Sequence, residues 1–273
     1  ACATFLIWQD KCEQLLSNIL PPHLIGSLQS FLARLELRSN ASLQVTALQT
    51  PRYGAGLTPK LYTPAPQPKA LVAERYHDCS FLFAKIGGLS QLVNDGSAEP
   101  HKVISVLQIM FDRFDELTTI FNVQKVRKTA NEYYLAAAGL PDPELLPQPE
   151  DRACGLASFG FAIINVMDMV NLDLQRLGMN TRFTVQVGID SGFAIAGIIG
   201  HKTFQYDLCG DAVNTAARMC SYSQPGRVHV TSATYELLRH RFAAVSQGER
   251  TIKGKGVMTT YLLRNEPPLS ESS

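Results

Sequence analysis

Charge of one sign is what this 273-residue sequence most clearly lacks: 25 lysines and arginines face 24 aspartates and glutamates, a formal net charge of +1. That balance removes the electrostatic basis for nucleic acid or an anionic membrane as the main partner. Glycine and proline, 19 and 15 residues, stay at ordinary levels, which excludes collagen-like or low-complexity architecture. None of the six cysteines (Cys2, Cys12, Cys79, Cys154, Cys209, Cys220) forms a C-x-x-C pair or has a histidine at zinc-finger spacing. They read as reduced, mostly packed thiols of a cytosolic compartment. No run of about 18 uncharged apolar residues occurs, so the chain is expected to be soluble as it stands. Its start at Ala1 rather than Met fits a cytoplasmic piece cut from a larger membrane protein.

What is present is enough apolar residue, 45%, to build a core. Residues 11–37 carry a helical stripe (Leu15, Leu16, Ile19, Leu20, then Leu24, Ile25, Leu28, Phe31, Leu32, Leu35) that Pro21-Pro22 interrupts or kinks. Five prolines between 50 and 69 mark a linker. The expected organisation is a helical lead-in over 1–49, a linker over 50–72, a folded domain over 73–266 and a tail over 267–273.

Inside the domain, strand and helix patterns alternate. Phe81-Leu82-Phe83-Ala84-Lys85-Ile86 reads as a buried strand closed by Gly87-Gly88. Val103, Leu107, Met110, Phe114, Leu117 and Phe121 recur at three and four, an amphipathic helix. Two strands over 123–129 and 133–138 flank a hairpin at Ala130-Asn131-Glu132, and a second helix covers 152–177 with Gly178 as its stop. Residues 182–189 alternate as a half-buried strand, and 193–199 form a buried strand turning at Gly192 and Gly200. The fold class predicted is α+β, an α/β sandwich with a ferredoxin-like βαββαβ core.

The chemistry concentrates in Gln205-Tyr206-Asp207-Leu208-Cys209-Gly210-Asp211-Ala212-Val213-Asn214-Thr215-Ala216-Ala217-Arg218-Met219. Asp211 stands at the expected N-cap of a helix. Asn214 and Arg218, four apart, share a face, where an amide and a guanidinium suit a sugar and a polyphosphate. A solvated helix face has the same spacing.

With its surroundings this stretch resembles the class III nucleotide cyclases. Gly188-Ile189-Asp190-Ser191-Gly192, Ala196-Gly197-Ile198-Ile199-Gly200, Pro225-Gly226-Arg227-Val228 and Lys253-Gly254-Lys255-Gly256 are similar to the family's other landmarks, in order. The resemblance spans about 75–264. It implies a site built between two cyclase halves, one bringing two aspartates for two Mg²⁺ (or Mn²⁺) ions, the other the purine-binding and transition-state residues. Lys85 stands at the first metal-aspartate position and Glu132 at the second, so this chain is not expected to hold the metal pair.

The complementary set matches. The resemblance places Lys128 and Asp207 on the purine, a donor and an acceptor that suit adenine. It places Asn214 on the ribose, Arg218 on the α-phosphate and Lys253, in preference to Lys255, on the terminal phosphates, with Leu208, Val213 and Lys255 also lining the substrate. The implied function is one half of a heterodimeric adenylyl cyclase acting on ATP, with a complementary cyclase domain as partner and membrane attachment only through the parent protein. A non-catalytic regulatory cyclase-like domain and a guanylyl cyclase half remain open as alternatives.

Overall fold

The computed structural model describes residues 73–89, 100–129, 132–176, 181–199 and 205–268, together with Leu24, Gly26 and Ser30. These last three are helical, and the Ser30 hydroxyl donates to the Gly26 carbonyl at 2.9 Å. The rest of the lead-in, the proline-rich linker and the stop at Gly178 lie outside the described residues. Contacts divide the chain into two units, Ala1–Glu74 with Gly197–Asp207, and Arg75–Ala196 with Leu208–Ser273.

β1 (Ala73–Gly87) starts well before the apolar run at Phe81 because its first half alternates between exposed and half-buried positions. Helix α1 (Pro100–Ile120) has proline at its first position, where the missing N–H costs nothing. Strands β2 (Gln124–Thr129) and β3 (Tyr133–Ala138) form the expected hairpin. Helix α2 (Pro149–Arg176) begins a few residues earlier than its apolar pattern. By length and composition α2 is apolar enough to cross a membrane, but half of that stretch is buried in the protein as a core helix.

One expectation is overturned at β4. The two strands foreseen on either side of Gly192 are a single strand, β4 (Thr184–Ile199). Gly192 does not turn the chain; a Cβ there would stand 3.1 Å from the Ala212 side chain, so the glycine serves close packing instead. Then follow β5 (Gln205–Cys209), α3 (Asp211–Tyr222), β6 (Val228–Thr231), α4 (Ser232–Leu238), β7 (Ala244–Ile252) and β8 (Gly256–Leu263). The N-cap of α3 is Gly210, not Asp211, which occupies the first helical position.

The sheet order is β2-β3-β1-β4-β6-β8-β7, with β5 paired to β4 outside that path. The β2-β3-β1-β4 part is the ferredoxin-like arrangement, extended here by β6, β7 and β8. Helices α1 and α2 cover one face. There Tyr134 packs among Phe111, Phe114 and Phe159, each ring centroid within 6.2 Å of its own. Each fully buried aromatic contributes about 1.5–3 kcal/mol of transfer free energy. Asp115 of α1 fixes the sheet laterally, accepting from the Tyr134 hydroxyl (2.9 Å) and the Lys125 ammonium (2.8 Å). Alternation along β4 then separates two environments. Val185, Val187 and Ile189 join the helix-side core, while Gly188, Asp190 and Gly192 face the other way, towards α3.

Candidate active site

Helix α3 is positioned by what β4 lacks. A Cβ on Gly188 would lie 1.8 Å from the Cys220 amide nitrogen, so the helix rests on bare backbone there. Ala212, Val213, Thr215, Ala216, Met219 and Cys220 form its buried stripe. Asn214 and Arg218 occupy the opposite, exposed face, one turn apart, as their spacing predicted. Burial pushes the Cys220 thiol up to about 12, against a smaller opposing effect of the Lys85 backbone N–H. This cysteine is an inert packing residue.

Two lysines of the β7–β8 turn have different surroundings. Lys253 is exposed. Lys255 keeps only 16% of its side chain exposed, pairs with the Asp211 carboxylate and donates to the Asp211 carbonyl at 3.3 Å. Gly254 and Gly256 lie in the left-handed region, φ 76° and 80°, and the Lys255 amide donates to the Ile252 carbonyl at 2.9 Å, closing a tight turn. Between Gly188 and Gly192 on β4 lies Asp190, 7% exposed, whose Oδ1 accepts from the hydroxyls of Thr231 (2.5 Å) and Thr234 (3.2 Å). Burial pushes its carboxyl above the ordinary value. The Thr231 hydroxyl, the Ser191 amide, the Thr234 hydroxyl and the Lys255 charge oppose that. Sequence reasoning missed this carboxylate; the signal was its place between Gly188 and Gly192, on the glycine side of β4.

Lys128 lies on β2 opposite Tyr134 in register, three residues beyond the Lys125 that Asp115 holds. Asp207 is half-buried on β5, and Leu208 and Val213 are each 6% exposed. At the positions where the resemblance expects metal aspartates, Lys85 faces Tyr133 across β1 and β3, with its ammonium 5.9 Å from the ring centroid. Glu132 sits at φ 73° and its carbonyl accepts from Ile86 at 2.7 Å. Among the described residues no three of His, Cys, Asp and Glu gather as metal ligands. An ammonium over the Tyr133 ring leaves no carboxylate oxygen at Lys85 to ligate a divalent ion.

Comparison with known proteins establishes the family. The family model of the adenylate and guanylate cyclase catalytic domain matches residues 71–265. The chain belongs to that family.

Relatives of this cyclase domain include both kinds of enzyme. The rat guanylate cyclase soluble subunit beta-2 is 32% identical over 197 residues, 71% of this chain and 27% of that protein. An adenylate cyclase of Mycobacterium bovis is 32% identical over 194 residues, 71% of this chain and 41% of that protein. The chain thus spans about a quarter of one of these relatives and about two fifths of the other. The guanylate cyclase domain of RhGC from Catenaria anguillulae, solved with GTP, superposes with a TM-score of 0.60 at 25% identity, over 70% of this chain and 98% of that one.

Proposed function

We propose that this cyclase domain is the base- and phosphate-binding half of a two-domain adenylyl cyclase. The observation that carries the reading is the Lys85 ammonium over Tyr133 at a metal-aspartate position, while Asn214 and Arg218 stand exposed together on α3. The divalent ions of this reading, Mg²⁺ or Mn²⁺, belong to the aspartates of a complementary cyclase domain, on the same or another polypeptide.

In the reaction, the ribose 3′-hydroxyl gives up its proton to water, its oxygen bonds to the α-phosphorus, the bond from that phosphorus to the oxygen bridging to the β-phosphate breaks, and cyclic AMP and pyrophosphate leave. The Lys128 ammonium donates to a ring nitrogen of adenine and Asp207 accepts from its amino group. Asn214 orients the ribose, Arg218 meets charge growing on the α-phosphate oxygens, and Lys253 holds the terminal phosphates. Leu208 and Val213 back the substrate from within the fold. The parent protein is read as holding the domain in the cytoplasm, at a membrane face.

The test is to mix the purified chain with a half bearing both aspartates and measure cyclic AMP from ATP beside cyclic GTP from GTP. Cyclic AMP from the mixture and from neither half alone supports the reading; activity from this chain alone overturns it. Lys85 and Glu132 equally favour a second reading, a regulatory cyclase-like domain without catalysis, in which the mixture makes no more product than the partner half alone. A guanylyl cyclase half would favour GTP in the same comparison.

A further inference from the structure

We propose that Lys255 is a positioning residue: through Asp211 it clips the turn carrying Lys253 to the first turn of α3, the helix carrying Asn214 and Arg218. The inference rests on the reading above for the roles of Lys253, Asn214 and Arg218, and on the structure for the clip itself.

Lysines 253 and 255 sit two residues apart in one turn, yet only Lys255 is drawn into the protein. Its ammonium has three donors, and Asp211 engages them twice, by carboxylate and by carbonyl. The same carbonyl accepts from the Thr215 hydroxyl at 2.8 Å, so the turn, the helix start and a side chain one turn on converge at one oxygen. The buried Asp190 carboxyl on β4 also feels the Lys255 charge, and the Thr231 and Thr234 hydroxyls hold that carboxyl in place. A lysine so engaged is a poor candidate for the terminal phosphates, whereas Lys253 is exposed to meet them.

Stability is not the main consequence. Asp211 is 91% exposed, and pairs with an exposed partner contribute little. Geometry is what the clip supplies. The turn is tight, closed by Lys255 to Ile252 and by two left-handed glycines, so fixing Lys255 fixes Lys253. The clip therefore sets the distance from the terminal-phosphate group to the ribose and α-phosphate groups on α3, and misplacement by ~1 Å costs up to about a hundredfold in rate.

The experiment has two arms. Hydrogen exchange on the full chain, without any partner, should show the amides of 253–256 and the first turn of α3 exchanging faster in both Lys255→Met and Asp211→Asn, with the double variant no faster than either. In the complemented enzyme, Lys255→Met should lower kcat/KM for ATP roughly tenfold. Lys253→Met should lower it further, and Lys253→Met/Lys255→Met should equal Lys253→Met alone. Unchanged exchange in both single variants overturns the clip. So does an additive loss in the double variant, which would mean that Lys255 acts on substrate independently. If no partner yields cyclase activity, the functional reading fails and the exchange arm alone decides the clip.

Discussion

Gly188 of β4 and Cys220 of α3 approach so closely that a Cβ on the glycine would lie 1.8 Å from the cysteine's amide nitrogen, 2.5 Å from its Cα and 2.5 Å from the Met219 carbonyl carbon. Because the obstacle is backbone, no side-chain rearrangement relieves it. The helix must move, and Asn214 and Arg218 move with it. Gly188→Ala should cost ~3 kcal/mol, the upper end for overpacking. Gly226→Ala, at φ +70° with nothing within 4 Å, is the control and should cost about 1 kcal/mol. Denaturant unfolding of both variants checks this, and equal losses would contradict the close approach.

Arg218→Ala and Asn214→Ala should leave unfolding within about 0.5 kcal/mol of the parent, because both side chains are exposed. In the complemented enzyme Arg218→Ala should lose roughly a hundred- to a thousandfold in kcat, as expected when a group stabilising transition-state charge is removed. A regulatory domain would lose nothing, so turnover measured beside a thermal melt separates the two readings.

The purine assignment rests on polarity. Lys128→Glu with Asp207→Cys reverses the donor and acceptor offered to the base and should shift the ratio of kcat/KM for ATP over GTP by about tenfold or more towards GTP. Full retention of ATP preference would place base recognition on other residues.

His229 supplies a pH dependence. It is 1% exposed, its Nδ1 lies 3.1 Å from the Met219 carbonyl oxygen, and its Nε2 is buried without a hydrogen-bond partner among the described residues. Burial holds its pKa below the ordinary 6.5; the Met219 carbonyl opposes that and the Arg250 charge adds to it. The folded protein therefore binds fewer protons than the unfolded chain below that value, and stability falls as pH drops through about 6.5. His229→Gln keeps a donor for Met219 and removes the titration. Its unfolding free energy between pH 7 and pH 5 should fall less steeply than the parent's, and identical slopes would exclude His229 as the source.

Much of the fold was legible because it follows local periodicity. The three-and-four spacing from Val103 to Phe121 gave α1, and the strand candidates flanking the hairpin at 130–132 gave β2 and β3. The reading failed where glycine has two meanings. Gly192 punctuates a sequence like a turn, yet it lies inside β4 to admit Ala212. Asp211 has the chemistry of an N-cap, but Gly210 takes that place because a side chain there would meet the Phe193 carbonyl oxygen at 2.7 Å. At the candidate site, one-turn spacing was enough to put Asn214 and Arg218 on one face, whereas Asp190 was passed over as part of a glycine landmark.

Residue chemistry and spacing alone determined the βαββαβ core and the shared face of Asn214 and Arg218, and the family resemblance marked Lys85 as standing where a metal-binding carboxylate was expected. Tertiary structure alone decided which lysine of the 253–255 turn is held and which is exposed, why β4 needs glycine at 188, and that Asp190 is buried under the hydroxyls of Thr231 and Thr234. The physical reason is distance along the chain. Contacts such as Asp211 with Lys255 or Gly188 with Cys220 depend on how strands and a helix approach one another, and no local pattern records that separation.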